Sequence, residues 1–193
     1  MTEVERTLRR IVNDLTEEQV SFALIGGLAI SIRAEPRLTR DADFAISVKN
    51  DSMAEQTIRN LSGRGYVPGT VVEHASGRLA AVRLSVPESD VFVTDLLFAS
   101  SGIEPEIVMQ AEELEVLADF RLRVASIGHL IATKLLARDD RLRPADADDL
   151  RALAAVARDE DWAEARTAVN LIAQRGFARG KDLATELDRL LNP

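Results

Sequence analysis

The chain of 193 residues is 46% hydrophobic and 29% charged, so it can bury a core and is not a disordered tail. It has no cysteine and only two histidines, His74 and His129, which excludes a disulfide scaffold, a thiolate zinc site, cysteine nucleophilic catalysis and a histidine-rich metal cage. A net charge of −8 argues against a surface that coats nucleic acid indiscriminately. The first residues lack the apolar core of a signal peptide and no apolar run approaches a membrane span, so we expect a cytoplasmic protein without a membrane partner.

Hydrophobic spacing predicts a sheet in the first half of the chain. The predicted elements are, in chain order, a helix over 2–20, a strand at 20–25, a helix after Gly26 and Gly27, a loop at 35–40, a strand at 43–48, a helix from about 50 to 61, and strands at 70–73, 79–86 and 91–98.

After residue 98 the composition shifts towards helix. Residues 105–114 resemble a short helix, residues 114–124 contain extended pieces, and helices are predicted at 126–138, 145–158, 161–175 and 181–191. The pattern therefore predicts an α+β protein, with a core domain at 1–124 and a helical domain at 125–193.

Asp41 and Asp43 are the first candidate for chemistry. If both lie on a strand, their side chains point to the same face, because side chains alternate along a strand. Two carboxylates this close repel each other unless a proton or a cation lies between them, and a hard cation such as Mg²⁺ or Mn²⁺ suits oxygen ligands. Alternatively, Asp41 is a loop residue and Asp43 a charge at a strand edge.

Two further features support a site near this pair. Gly26 and Gly27 lie between an apolar strand and a helix, where glycine lets the backbone approach a ligand and the helix N-terminus offers N–H groups to phosphate. Asp95 interrupts an otherwise apolar strand, and its charge is costly to bury without a partner. A tight turn at the glycines, and an edge strand that exposes Asp95 to water, are the alternatives.

The helical part offers three more charged candidates. Lys134 falls on the apolar stripe of its predicted helix, where a lysine needs an acidic partner or an anionic ligand. Asp146 lines up with the apolar stripe of the next helix, and Asp149 stands beside that stripe. Lys134 and Asp146 could equally form an ion pair between two helices. The two histidines have no companions at ligand spacing and are expected to be structural.

In this order, the segments GGLA, RLTRDAD, LIATKL and RPADADDL resemble the polymerase-β-type nucleotidyltransferase superfamily, and more narrowly the AbiEii and MenT-like toxins of bacterial toxin–antitoxin systems. The resemblance covers roughly residues 20 to 155. Ala145 departs from it, because a basic residue is common before this aspartate. The resemblance implies a nucleotidyltransferase fold, a mixed sheet flanked by helices, whose C-terminal helical part completes the active site.

The resemblance also implies an activity and a set of roles. A nucleoside monophosphate would move from an NTP to the 3′ end of tRNA, with release of pyrophosphate. Asp41, Asp43 and Asp95 would bind Mg²⁺ or Mn²⁺, and Asp95 would also help to deprotonate the acceptor. Lys134 and Asp146 would complete the catalytic set, and the nucleotide would be bound by Gly26, Gly27, Arg40, Lys134 and Asp149.

A cognate antitoxin, in some systems a kinase, is a further implication of the resemblance. Thr39 lies two residues before Asp41, and a phosphate there would add about −1.5 to −2 charges beside the site. An ordinary loop hydroxyl is the alternative at Thr39. For the whole chain, the alternatives are nucleotidylation of a protein or an aminoglycoside, and a catalytically inactive module that binds a partner protein.

Overall fold

The computed structural model of the chain describes residues 3–36, 39, 41–85, 93–139 and 145–192. Within these residues the chain forms eight α-helices and seven β-strands. In chain order they are α1 (Glu3–Glu17), β1 (Ser21–Ile25), α2 (Gly26–Arg33), β2 (Asp41–Ser47), α3 (Asp51–Gly63), β3 (Val67–Glu73), β4 (Leu79–Ser85), β5 (Val93–Leu97), α4 (Glu104–Gln110), β6 (Glu112–Leu117), β7 (Phe120–Val124), α5 (Ile127–Ala137), α6 (Ala145–Val156), α7 (Asp159–Gln174) and α8 (Leu183–Leu191).

All seven strands belong to one mixed sheet, in the order β3-β4-β5-β2-β1-β7-β6. β2 pairs in parallel with β5, and β1 pairs in parallel with β7. The other neighbours are antiparallel. The predicted sheet flanked by helices is confirmed, and its centre is formed by β5, β2 and β1.

The core lies where apolar faces of helices meet the middle strands. On α1, the buried residues recur at helical spacing, as the sequence predicts for a helix packed on one side. These residues are Leu8, Ile11, Val12 and Leu15. On β2, Ala42 and Phe44 are buried while Asp41 and Asp43 alternate with them and are half-buried. The alternation sends the two carboxylates to one face of the sheet.

One predicted element is wrong in its extent. The helix expected at 105–114 ends at Gln110, and Glu112 begins β6, which forms a hairpin with β7. Alanine, glutamate and leucine favour helix, but the pairing of β6 with β7 overrides that local preference. Two strands also begin earlier than predicted, β2 at Asp41 and β3 at Val67.

The C-terminal helices contact the rest of the chain near Gly102, Glu106 and His74. Arg175 donates to the Gly102 carbonyl at 2.5 Å and pairs with Glu106. The Phe177 ring stacks on His74 with 4.2 Å between ring centroids. Within the helical part, Ser126 contacts His129 Nδ1 at 2.8 Å, which is consistent with the structural role expected of both histidines. None of the helices among the described residues is long and apolar enough to cross a membrane.

Candidate active site

Three charged side chains form a row across three neighbouring strands. Strand pairing places Asp43 of β2 beside Asp95 of β5, and Asp95 beside Arg83 of β4. Side chains at paired positions lie on the same face and within contact distance of each other. The row therefore brings together two predicted carboxylates and an arginine that the sequence analysis did not single out.

Asp41 lies next to this row on the same face of β2. The alternation along the strand leaves Asp41 and Asp43 half-buried together. The Thr39 hydroxyl donates a hydrogen bond of 2.5 Å to Asp41 Oδ1, so the loop before β2 touches the carboxylate pair directly. Thr39 and Asp41 are thus in contact, as their spacing in sequence suggests.

Gly26 lies directly against the side chain of Asp43. Ile25, the last residue of β1, pairs with Asp43, and Gly26 follows it at the start of α2 with φ +67°. A Cβ built on Gly26 would lie 1.8 Å from Asp43 Oδ2, so only glycine fits both the backbone conformation and the space. Gly27 is buried in the first turn of α2. The strand-to-helix turn and the carboxylate pair are one local structure.

Burial and the neighbouring carboxylates change the pKa of Asp43. Burial, followed by the charges of Asp41 and Asp95, raises the pKa of Asp43 from 3.8 to about 7, although Lys134 and Arg83 act in the opposite direction. A carboxyl with a raised pKa gives up its proton more readily when a cation binds beside it, and carboxylate oxygens suit a hard cation.

Arg83 supplies one positive charge to the cluster. Its Nε donates to Asp95 Oδ1 at 2.8 Å and its Nη2 donates to Asp95 Oδ2 at 2.6 Å, a two-pronged contact that engages both oxygens of the carboxylate. The alternative in which Asp95 only reaches water is therefore wrong, because the carboxylate has a charged partner. A strand register that brings Arg83 opposite Asp95 could not be predicted from the spacing of residues along the chain.

Lys134 supplies the other positive charge, and it is held by the helical part. Lys134 Nζ lies 2.7 Å from Asp146 Oδ1 and 2.8 Å from Asp149 Oδ2, and both aspartates come from α6. The three side chains are 13%, 5% and 2% exposed, respectively. The ion pair foreseen for Lys134 and Asp146 exists and includes Asp149 as well. The charge of Lys134 also acts to lower the pKa of Asp43, against the larger effects of burial, Asp41 and Asp95.

Arg40, the arginine predicted to bind the nucleotide, lies outside the described residues. Arg33, the last residue of α2, donates hydrogen bonds to the carbonyls of Val124 and Ala125 and therefore ties α2 to the end of β7.

In the part of the chain that the structure describes, no three histidine or acidic side chains are arranged to hold one ion together. Asp41 and Asp43 share a face of β2, and this pair of oxygen ligands suits Mg²⁺ or Mn²⁺. Asp95, the third predicted ligand, is occupied by Arg83. The residues fit a metal held by two carboxylates, and a third becomes available only if Arg83 moves.

Residues 6–193 match the family described as nucleotidyl transferase AbiEii toxin, type IV TA system. The chain belongs to this family. The match extends over nearly the whole chain, including the strand–helix turn, the three carboxylates and the Lys134 triad. Among curated proteins, no sequence matches the chain closely enough to count as a relative.

Solved structures agree with the fold of this AbiEii family member. The crystal structure of the lincosamide antibiotic adenylyltransferase LnuA, with lincomycin bound, has a TM-score of 0.52 and 16% identity over 81% of this chain and 99% of that chain. An antigenic nucleotidyltransferase-like protein from Paracoccidioides brasiliensis has a TM-score of 0.52 and 17% identity over 98% of this chain and 92% of that chain. At these identities the likeness concerns the fold, which is that of nucleotidyltransferases.

Proposed function

We propose that this AbiEii family member moves a nucleoside monophosphate from an NTP to the 3′ end of tRNA, in a metal-dependent reaction that stops growth until an antitoxin intervenes. The observation that carries the proposal is the position of Asp43, which lies on Gly26 between Asp41 and Asp95 with its pKa raised to about 7. A glycine floor beneath crowded carboxylates suits a metal-bound triphosphate.

In this mechanism, Asp41 and Asp43 hold the metal, which, when bound, supplies charge neutralisation at the triphosphate. The N–H groups at the start of α2, from Gly26 and Gly27, cradle the phosphates. Asp95 accepts the proton of the acceptor hydroxyl and is the carboxylate that we assign to a second metal. The acceptor oxygen bonds to the α-phosphorus, the bond from that phosphorus to the bridging oxygen breaks, and pyrophosphate leaves.

The helical part completes the site through α5 and α6. In this mechanism Lys134 offsets charge on the phosphates, as would Arg40. Asp146 and Asp149 hold the Lys134 ammonium in place at 2.7 and 2.8 Å and contribute to nucleotide binding in this mechanism. The boundary that we propose between the core domain, 1–124, and the helical domain, 125–193, falls at the end of β7.

A labelling assay tests this function. The purified protein is incubated with Mg²⁺, each α-labelled NTP in turn, and total tRNA, bacterial protein extract or a lincosamide or aminoglycoside. Asp41→Ala tests the site, and Asp148→Ala, at an exposed position on α6, is the matched control for loss of a carboxylate. We expect label in tRNA with one class of NTP, equal for wild type and Asp148→Ala and absent for Asp41→Ala.

Other outcomes identify the rivals. Label in a protein band would assign the chain to protein modification. Label in the antibiotic would assign it to a reaction like that of the lincosamide adenylyltransferase, for which the net charge of −8 suits a cationic drug. No label under any condition, with native secondary structure, would support the inactive binding module.

We infer that Thr39 is where a kinase antitoxin acts. Its hydroxyl already contacts Asp41 Oδ1 at 2.5 Å, so a phosphate on Thr39 would lie beside the carboxylates assigned to the metal. Its charge would repel the triphosphate or capture the metal. Phosphorylation of the purified protein by the candidate antitoxin, read by mass spectrometry in wild type and Thr39→Val, tests this directly.

A further inference from the structure

We propose that Arg83 changes partners when the nucleotide binds. While the site is empty, its guanidinium neutralises Asp95; when the nucleotide arrives, the guanidinium binds the phosphates instead, which frees Asp95 for the metal. We call this change of partner the exchange. The inference rests on the proposed function and adds a residue to its machinery. It explains how a site with three carboxylates can be stable before the metal and the nucleotide arrive.

The geometry places Arg83 within reach of both partners. Arg83, Asp95 and Asp43 occupy paired positions on β4, β5 and β2, so the guanidinium lies on the same face as the cluster. The hydrogen bond to Asp95 and the charge of Asp95, followed by the charges of Asp41 and Asp43, raise the pKa of Arg83 above its ordinary value. The guanidinium contacts Asp95 and lies in the field of the other two carboxylates. A phosphate group bound over Asp41 and Asp43 would lie beside it.

Exposure distinguishes Arg83 from Lys134. The Arg83 side chain is 48% exposed and its partner Asp95 is 22% exposed, whereas Lys134 is 13% exposed and is held by two aspartates. An exposed ion pair contributes less to stability than a buried one, so breaking the Arg83 pair costs less than breaking the contacts of Lys134. Pulling Lys134 away would remove the ammonium group that two buried carboxylates contact, which is costly. Of these two cations, Arg83 leaves its partner at the lower cost.

The chemistry of the guanidinium suits the second position. It carries five N–H donors in a planar fork that matches carboxylate and phosphate oxygens equally well. When a divalent ion enters, it competes with the Arg83 guanidinium for the carboxylate of Asp95. The triphosphate then gives the guanidinium another anion to bind. In this exchange Arg83 leaves a carboxylate for a phosphate as the metal takes the place of the guanidinium at Asp95.

Manganese binding without turnover tests the exchange. Free Mn²⁺ is measured by electron paramagnetic resonance in titrations of wild type, Arg83→Gln, Asp95→Asn and the double variant, with no nucleotide present. Arg121→Gln is the control, because Arg121 forms a similar cross-strand pair with Glu113 away from the site. We expect Arg83→Gln to bind Mn²⁺ about tenfold more tightly than wild type and Arg121→Gln.

The double variant tests whether the gain depends on the carboxylate of Asp95. Asp95→Asn should weaken Mn²⁺ binding when Arg83 is present, since the guanidinium then has no carboxylate partner of its own beside Asp41 and Asp43, and should reverse the gain in the Arg83→Gln background. Equal Mn²⁺ affinity in wild type and Arg83→Gln, or a gain that survives Asp95→Asn, would overturn the exchange.

Nucleotide binding gives the second readout. A non-hydrolysable NTP analogue with Mg²⁺ should bind Arg83→Gln about tenfold more weakly than wild type, with Arg83→Lys in between because lysine keeps the charge but not the fork. Unchanged affinity would overturn the phosphate half of the exchange.

Asp41→Asn distinguishes failure of the proposed function from failure of the exchange. If this variant leaves Mn²⁺ binding unaltered, the metal site of the proposed function is wrong and the exchange with it. If it abolishes binding while Arg83→Gln behaves as wild type, only the exchange is wrong.

Discussion

The carboxylate of Asp43 rests directly on the backbone of Gly26, because β1 ends beside Asp43 at the residue before this glycine. The contact joins two parts of the chain that the sequence presents separately, a glycine pair and an aspartate pair. It also makes the glycine and the carboxylate interdependent, so a change in one displaces the other.

Gly26→Ala should therefore abolish nucleotidyl transfer. The added Cβ would lie 1.8 Å from Asp43 Oδ2, and φ +67° would cost an alanine about 1–2 kcal/mol. Gly77→Ala is the matched control, since Gly77 has φ +79° but no atom within 4 Å of an added Cβ. It should lose about the same backbone energy in urea unfolding while keeping its transfer rate. Comparable transfer by the two variants would contradict the contact.

The raised pKa of Asp43 predicts a stability that depends on pH. Between its unfolded value, 3.8, and about 7, the folded protein keeps a proton that the unfolded chain has lost. The contribution of Asp43 to the free energy of unfolding should therefore fall as pH rises, by up to about 1.4 kcal/mol per pH unit, and level off above the folded pKa.

Asp43→Asn isolates that contribution. In buffer with EDTA, its free energy of unfolding should increase relative to wild type as pH rises from about 4 to about 7. Urea unfolding across this range measures the difference, and Asp148→Asn on α6 is the control for loss of an exposed carboxylate. A difference between Asp43→Asn and wild type that stays constant with pH would show that Asp43 titrates normally.

Removing Lys134 should destabilise the fold as well as stop transfer. Lys134→Met removes the ammonium group that the buried Asp146 and Asp149 contact, at a cost of about 3–5 kcal/mol. Converting both aspartates to asparagine in that background should recover most of the stability but none of the transfer. Arg166→Met, which breaks an exposed pair with Asp188 between α7 and α8, should cost less than about 1 kcal/mol.

A negative charge at Thr39 should inhibit the enzyme. Thr39→Glu places a carboxylate against Asp41, whereas Thr39→Val removes only the 2.5 Å hydrogen bond. We expect Thr39→Glu to lose transfer by about tenfold or more and Thr39→Val to change it by less, measured at the same Mg²⁺ concentration. Equal rates for the two variants would remove charge as the basis of regulation at this position.

The sequence predicted the parts of the site that are local. The glycine pair between strand and helix, the aspartates two residues apart and the charge inside an apolar strand each follow from periodicity and turn chemistry. The triad of Lys134, Asp146 and Asp149 was predicted only in part. Helical spacing puts Lys134 on an inward stripe but does not indicate whether the lysine pairs with one aspartate or with two.

The parts that the sequence did not predict depend on pairing between distant segments. Arg83 meets Asp95 only because β4 and β5 pair in one particular register, which the spacing of apolar residues leaves open. The start of β6 was missed for a related reason, since Glu112 to Leu114 favour helix in isolation and become a strand through β7.

The order of these residues along the chain also governs when a newly made molecule becomes active. Gly26, Asp43 and Asp95 leave the ribosome well before Lys134, and α6, which holds that lysine, follows later still. A nascent chain that has just completed the sheet carries the crowded carboxylates without the ammonium group or its two aspartate anchors. Under the proposed function, synthesis therefore delays nucleotidyl transfer until α6 has emerged.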